Sequence, residues 1–310
     1  MLTVLFSAPA GRWTDYEGPL TRALREAGVE ARIVTDTDAP ETVDYIVYAP
    51  NGGLSDFTPF TGAKAVLSLW AGVETIVTNR TLTQPLCRMV DSGLEEGMVE
   101  YVTGHVLRHH LGMDRYVAPE APGWTRVVPP LARDRQVAVL GLGALGAACA
   151  RALAALRFPV TGWSRSPRAI DGIACFHGDA GLRPALERAE IVVTLLPLTG
   201  ATEGLMDAAR LGWLPEGAVL INPGRGALVD EQALLAALDG GRLGHATLDV
   251  FREEPLAADH PFWTHPKVTV TPHIASETRP ASAARVIAEN IRRGEAGEPF
   301  LFLVDRGLGY

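Results

Sequence analysis

Cysteine is scarce: three occur in 310 residues, at 87, 149 and 175. They are scattered and odd in number, which argues against a disulfide framework, and their spacing fits no zinc site. Cys87, Cys149 and Cys175 read as small buried hydrophobes. Long apolar runs are also missing. The longest stretch without a charge, Gln136 to Ala150, is 15 residues and holds three glycines, whereas a membrane span needs about 20 apolar residues. The opening MLTVLFSAPAGRW has no basic segment ahead of its apolar run, unlike a signal peptide, so the cytoplasm is the expected location. An excess of positive charge is lacking as well. Lys and Arg number 28 against 36 Asp and Glu, for a net charge of −8 with His neutral, and no run of like charges occurs. That disfavours a nucleic-acid partner, whose phosphates call for a basic face. Neither internal repeats nor low-complexity tracts are present.

What remains is ample core material. Hydrophobic residues make up 47% and charged residues 21%, too apolar for a disordered chain. At about 150 residues per domain, the length points to two domains. The first hundred residues alternate TVLFSAP, ARIVT, DYIVYAP and AKAVLSLW with helical stretches. From Tyr16 to Ala27 the residues Leu20, Leu24 and Ala27 share a helical face, and Gly28 stops the helix. Near-continuous apolar strands separated by helices suggest a parallel sheet covered on both faces. One long helix is expected from Leu94 to Gly112, with Met98, Val102, His105, Val106 and His109 near one stripe. Ala118 to Pro130 holds four prolines and reads as a surface connection. A second α/β series follows: RQVAVLGLGALG, a helix to about Leu156, FPVTGWSRS, EIVVTLLP, AVLINPGRG, a helix over Glu231–Leu238, HATLDVF and KVTVTPH. An amphipathic helix from Pro280 to Gly294 precedes the tail LFLVDRGLGY.

The strongest local signal is GLGALG, Gly141 to Gly146, with Ala144 and Leu145 inside it. It follows the strand QVAVL and opens the helix AACARALAAL, the frame a dinucleotide-binding turn requires. Gly141 permits the tight turn, Gly143 lets the backbone approach a pyrophosphate, and Gly146 lets helix and strand sit close. The helix N-terminus offers N–H groups and a partial positive charge. The plain alternative is a glycine-rich turn with no ligand. The next strand ends in GWSRSPR, so Ser164 stands where a carboxylate would hold the ribose 2′-OH of NAD, followed by Arg165 and, nearby, Arg168. Loss of the carboxylate and gain of a guanidinium favour a 2′-phosphate, hence NADPH over NADH. Both arginines are otherwise solvated surface residues.

Three further strands lead to chemistry-bearing residues: AVLIN to Arg225, HATLDV to Glu254 and VTVTP to His273. In an open parallel sheet those ends face the crevice where the glycine loop works. Each has a plain reading: Arg225 paired with Asp230, Glu254 an exposed loop acid, His273 a capped loop residue. Three coincident strand ends are harder to dismiss. A cation, a carboxylate and an imidazole suit hydride transfer to a ketone, in which a proton donor serves the oxygen and a fixed cation holds the substrate. The roles expected are His273 as acid/base, Glu254 as the partner favouring its protonated form, and Arg225 as substrate anchor.

GLGALG, LLPLTGATEGLM, NPGRGALVDEQAL, LDVFREEPL and TPHIA, in this order and over nearly the whole chain, resemble the D-2-hydroxyacid dehydrogenase family. WSRS, PFWTHP and VDRGLGY resemble more narrowly the branch that reduces glyoxylate and hydroxypyruvate. The resemblance implies two Rossmann-like or flavodoxin-like parallel-sheet α/β domains with a cleft between them. Residues 1–98 plus 277–310 would form a discontinuous substrate-binding domain and 99–276 the dinucleotide-binding domain. It implies NADPH-dependent reduction of small 2-keto acids, with NADH weaker, and a homodimer built through the cofactor domain. It places Pro197 and Asp249 at the cofactor, Asp249 near the nicotinamide carboxamide. The backbone N–H groups of Ala71, Gly72 and Val73 would take the substrate carboxylate together with Arg225 and His273. The chain departs from the family pattern at Trp70, where glycine is frequent, and at Glu74, where aspartate is usual. Competing readings on the same fold are larger keto acids, oxidation of formate or phosphite, and a non-catalytic dinucleotide-sensing module. Weaker signals are His105 and His109, four apart on a helix without a third metal ligand in register, and Trp163, Trp213 and Trp263, expected in the core or a pocket wall.

Overall fold

A computed structural model describes residues 1–117 and 123–310. The expected connection from Ala118 to Pro130 thus lies outside the described residues at 118–122, and 123–131 carry neither helix nor strand. The elements are β1 (Leu2–Ser7), α1 (Ala10–Glu26), β2 (Ala31–Val34), β3 (Tyr45–Tyr48), β4 (Ala65–Ser68), α2 (Glu74–Val77), β5 (Leu86–Cys87) and α3 (Ser92–Leu111). There follow α4 (Asp114–Val117), β6 (Val137–Leu140), α5 (Ala144–Ala155), β7 (Val160–Ser164), β8 (Ala174–His177), α6 (Gly178–Leu186), β9 (Ile191–Thr194) and α7 (Ala208–Trp213). The series ends with β10 (Ala218–Asn222), α8 (Glu231–Asp239), β11 (Leu243–Leu248), β12 (Val268–Val270) and α9 (Pro280–Ala296). Contacts divide the chain into two compact units, Met1–Leu94 with Glu277–Tyr310, and Glu95–Ser276.

The first unit is built on a five-stranded parallel sheet in the order β2-β1-β3-β4-β5, the flavodoxin-like order 2-1-3-4-5. β3 and β4 are buried at every position, which is why they read as unbroken apolar runs. On one face Leu20 and Leu24 of α1 share a core with Ala283, Ile287 and Ile291 of α9. On the other, Leu5, Ile46 and Val66 pack with Ile76 and Leu86. Each such side chain contributes about 1.5–3 kcal/mol by leaving water. α1 begins six residues before Tyr16, straight after Pro9. Gly11, Gly18 and Pro19 dilute the helical pattern there, and packing against α9 overrides it.

The second unit carries a seven-stranded sheet in the order β12-β11-β10-β9-β6-β7-β8, parallel throughout. β6 starts the series, β7 and β8 extend it one way and β9 to β12 the other, so the order reverses between β6 and β9. That reversal is where a doubly wound sheet binds its ligand. Met98, Val102 and Val106 of α3 pack with β6, β9 and Leu153 of α5. The edge strand β8 and the helices α6 and α7 have no counterpart in the sequence reading. β8 is exposed at both ends and shows no apolar run, and α6 is short and carries Pro184, although it buries Leu182, Ala185 and Leu186 on one face. Two expectations need correction. Cys175 sits on that edge strand and is only half-buried, whereas Cys87 and Cys149 are buried. Trp163 is core and Trp213 packs partly against it, but Trp263 is 48% exposed, its indole N–H donating to the Ala257 carbonyl at 2.9 Å.

Candidate active site

The parallel sheet of the second unit brings six chemically distinct loops to one edge, because every strand ends on the same side. After β6, Gly141 has φ of 106°, a region that favours glycine, and a Cβ there would lie 2.6 Å from the Leu195 carbonyl carbon. A Cβ on Gly146 would collide with the Gly141 carbonyl group. Gly143 is the N-cap of α5 with no side chain capping it, and a Cβ added there would meet nothing within 4 Å. Open space therefore lies in front of the uncapped N–H groups of α5, a cradle shaped for a phosphate. The residues fit a dinucleotide, whose pyrophosphate Gly143, Ala144 and Leu145 would hold.

After β7, Ser164 is nearly buried and its hydroxyl donates to the Ser166 carbonyl at 2.8 Å, tightening the turn. Arg165 and Arg168 both reach the exposed surface. After β9, the Pro197 carbonyl accepts from Thr202 Oγ1 at 2.7 Å, closing a compact loop that also holds the Thr199 N–H on that hydroxyl at 2.8 Å.

After β10, Arg225 is held through a residue the sequence reading passed over. Asn222 is 1% exposed. Its Oδ1 accepts from Thr194 Oγ1 at 2.7 Å and from the Gly224 N–H at 3.2 Å, while its Nδ2 donates to the Arg225 carbonyl at 2.9 Å. Arg225 Nη1 donates to the Gly224 carbonyl at 2.7 Å. The backbone of Arg225 is thus pinned from the buried side, and the guanidinium is half-buried at the strand end.

After β11 and β12 the structure brings Glu254 and His273 into direct contact, Glu254 Oε2 to His273 Nδ1 at 2.7 Å. The other oxygen, Oε1, accepts from the Phe251 N–H at 2.9 Å, so the carboxylate is fixed at both ends. An ionised carboxylate only accepts, so Nδ1 carries its proton and Nε2 is the nitrogen that gains and loses one. The His273 side chain is 51% exposed and that of Glu254 33%. His273 adopts a φ of 54°, an unusual conformation for a residue with a Cβ, costing about 1–3 kcal/mol. Asp249 offsets that cost. The Asp249 carbonyl accepts from the His273 N–H at 2.9 Å. Its Oδ1 accepts from the Ile274 N–H at 2.9 Å and its Oδ2 from the Ala275 N–H at 2.8 Å. Asp249 is 0% exposed, so in this structure its visible work is to clamp the His273 loop.

In the first unit, Ala71, Gly72 and Val73 form the turn between β4 and α2. Their N–H groups find no acceptor among the described residues, so the turn offers three successive donors. Thr278 supports it by donating to the Leu69 carbonyl at 2.8 Å. Trp70, at the head of the turn, is 43% exposed although Leu69 before it is buried. His105 and His109 belong to an aromatic column instead. The His109 ring lies 4.9 Å from that of His245, and its Nε2 lies 2.8 Å from Thr247 Oγ1. Burial pushes His109 down to about 3 and His245 down to about 4. Among the described residues no three His, Cys, Asp or Glu side chains gather as metal ligands. Thr194, Asn222 and Thr271 were the missed residues. Their signal was a polar side chain at the end of an apolar strand.

Comparison with known proteins bears on the fold and the family. The family model for the D-isomer specific 2-hydroxyacid dehydrogenase NAD-binding domain matches residues 104–275. Glyoxylate/hydroxypyruvate reductase A of Salmonella heidelberg (strain SL476) is 40% identical over 318 aligned positions, covering 100% of both chains. The D-isomer specific 2-hydroxyacid dehydrogenase of Xanthobacter autotrophicus Py2, solved with NADPH and MES, superposes with a TM-score of 0.93 at 42% identity over 99% of each chain. The NADPH-dependent glyoxylate/hydroxypyruvate reductase of Sinorhizobium meliloti, solved with NADP and sulfate, gives 0.89 at 35% identity over 100% of each. No helix among the described residues is long and apolar enough to cross a membrane. With an NAD-binding domain filling its second unit and full-length relatives on both counts, the chain belongs to the D-isomer specific 2-hydroxyacid dehydrogenase family.

Proposed function

We propose that this protein reduces small 2-keto acids, glyoxylate and hydroxypyruvate foremost, to 2-hydroxy acids with NADPH. The observation that carries the reading is the Glu254–His273 pair, 2.7 Å apart, on the same sheet edge as the glycine turn. The names of the relatives in Salmonella and Sinorhizobium meliloti support the substrate class, and those of the two solved neighbours support NADPH. When bound, the nicotinamide supplies the hydride. Gly141 to Gly146 hold the phosphates, and Arg165 takes the 2′-phosphate beside Ser164. His273 Nε2 gives its proton to the carbonyl oxygen as charge develops there, and Glu254 Oε2 keeps the ring turned so that Nε2 faces outward. Arg225 holds the substrate by its planar fork, and in the first unit the successive backbone donors of Ala71, Gly72 and Val73 suit a carboxylate. In this reading residues 1–98 with 277–310 form the substrate-binding domain and 99–276 the cofactor domain. Larger keto acids and a non-catalytic sensing role are the alternatives, and an intact proton donor speaks against the second.

The active form is proposed as a homodimer joined through the cofactor domain. The second unit exposes a run of apolar side chains, among them Met113, Val117, Val128 and Leu131, with Trp124 fully exposed. Exposed apolar side chains in this number suit a surface that a second copy covers. The decisive experiment is a panel of 2-keto acids assayed with NADPH and NADH by loss of nicotinamide absorbance. Turnover of glyoxylate and hydroxypyruvate above phenylpyruvate, with NADPH preferred, is expected. Absence of turnover on every keto acid would overturn the reading.

A further inference from the structure

Behind His273 the hydrogen bonds continue into the core of the second unit. Thr271 Oγ1 donates to Asp249 Oδ1 at 2.6 Å, which commits its one proton. The Tyr101 hydroxyl of α3 lies 2.7 Å from the same Thr271 oxygen. Since the carboxylate cannot donate and the threonine proton points at it, Tyr101 is the donor. The polarity of the chain is therefore fixed: Tyr101 to Thr271, Thr271 to Asp249. Asp249 then grips three successive residues, 273, 274 and 275, through its carbonyl and both carboxylate oxygens. Tyr101 is itself held, its ring centroid 4.4 Å from that of His105. Burial pushes its phenol above the ordinary tyrosine range, so it keeps its proton around neutral pH.

We infer that Tyr101 is a positioning residue for proton transfer: through Thr271 it orients Asp249, and so holds His273 in its left-handed backbone conformation. This rests on the reading of His273 as the acid/base. His273 is then held twice and independently, its ring by Glu254 and its backbone by the Tyr101–Thr271–Asp249 chain. Removing the phenol hydroxyl leaves Thr271 Oγ1 without its donor and free to rotate away from Asp249. Asp249 Oδ1 then loses its shortest bond and the left-handed turn at His273 loses its support. Tyr101 is half-buried, with its hydroxyl on Thr271 and its ring against His105, so it acts through Thr271 rather than on the substrate.

The test uses the full chain with Tyr101→Phe, Thr271→Val, Thr271→Ser, the Tyr101→Phe/Thr271→Val pair and His273→Ala, assayed with NADPH and glyoxylate. Tyr101→Phe and Thr271→Val should each lower kcat about 3- to 10-fold, the worth of one hydrogen bond, with both KM values within about twofold. Thr271→Ser keeps the hydroxyl and should restore kcat. The double variant should be no slower than the worse single one, because both changes cut one chain. Amide hydrogen exchange at Ile274 and Ala275 should quicken in Tyr101→Phe, and this reading stands even if Thr271→Val does not fold. Wild-type kcat and wild-type exchange in Tyr101→Phe, or a double loss equal to the product of the singles, would overturn the inference. If His273→Ala instead retained its rate, the acid/base reading would fall, and the exchange measurement would still decide whether Tyr101 holds the loop.

Discussion

Replacing Asp249 by Asn tests the clamp on the His273 loop with the smallest possible change. The carboxylate is fully buried and accepts three bonds: from Thr271 Oγ1 at 2.6 Å and the Ile274 N–H at 2.9 Å on Oδ1, and from the Ala275 N–H at 2.8 Å on Oδ2. An amide has one accepting oxygen. Placed at the Oδ1 position it keeps two bonds and sets its NH2 against the Ala275 N–H. The reverse orientation keeps one bond and opposes two donors. The better orientation loses one charge-assisted bond, about 1.5–3 kcal/mol, and leaves buried donors facing each other, about 1–3 kcal/mol. The carboxylate is fully buried, so bulk solvent does not relieve the loss. A total of about 2.5–6 kcal/mol corresponds to a fall in Tm of about 5–25 °C for a unit of this size. Thermal unfolding followed by circular dichroism measures it, and kcat should fall as the loop loosens. A variant melting within about 2 °C of the parent would refute the idea that these three bonds hold the loop.

Other consequences follow from the same geometry. His109 and His245, pushed down to about 3 and about 4 by burial, stay neutral in the fold, whereas unfolded imidazoles take up protons below about pH 6.5. The unfolded state therefore binds more protons between those limits, so stability is full above about pH 6.5 and declines as pH falls toward 4. Urea midpoints measured from pH 7 to 4.5 should show the decline, and a His109→Gln/His245→Gln variant should flatten it. Arg225→Lys keeps the charge but loses the planar fork, so kcat/KM for keto acids should drop at least about 100-fold, about 2.7 kcal/mol, while NADPH titrates normally. Near-parent turnover in that variant would mean the anchor lies elsewhere. Arg165→Ala should lower kcat/KM with NADPH about 10- to 150-fold relative to NADH, the worth of a charged hydrogen bond. An unchanged ratio would remove Arg165 from the 2′-phosphate.

Much of this architecture was legible because the sequence writes it in strand ends. A buried parallel strand must be apolar along its length, so the first polar or charged residue after it marks where the sheet stops. Arg225, Glu254 and His273 stand out because each lies within a few residues of such an end, although Asp249 and Thr271 are the first polar residues after β11 and β12, and the glycine spacing at 141, 143 and 146 follows from the close approach at Gly141 and Gly146. What stayed hidden was contact between residues distant in sequence. Nothing in LDVFREEP and TPHIA says that Glu254 meets Nδ1 rather than Nε2, which required coordinates. Asp249 could be read as a cofactor ligand by family resemblance, but its buried grip on 273–275 depends on how β12 turns back. Edge elements were hidden for another reason: β8 faces solvent at both ends and needs no apolar run. Helix α1 was cut short in the reading because Gly18 and Pro19 lower intrinsic helicity that packing on α9 restores.

The central claim is that His273 Nε2 delivers the proton, and His273→Ala addresses it most directly. Single-turnover reduction of glyoxylate is measured in parallel with NADPH binding by nicotinamide fluorescence. A lost general acid typically costs a factor of about 10²–10⁴. The account predicts a fall of that size in the reduction rate and a flattened dependence on pH, with NADPH affinity nearly unchanged because Gly141 to Gly146, not His273, would hold the phosphates. Reduction at the parent rate with the parent pH profile would contradict it.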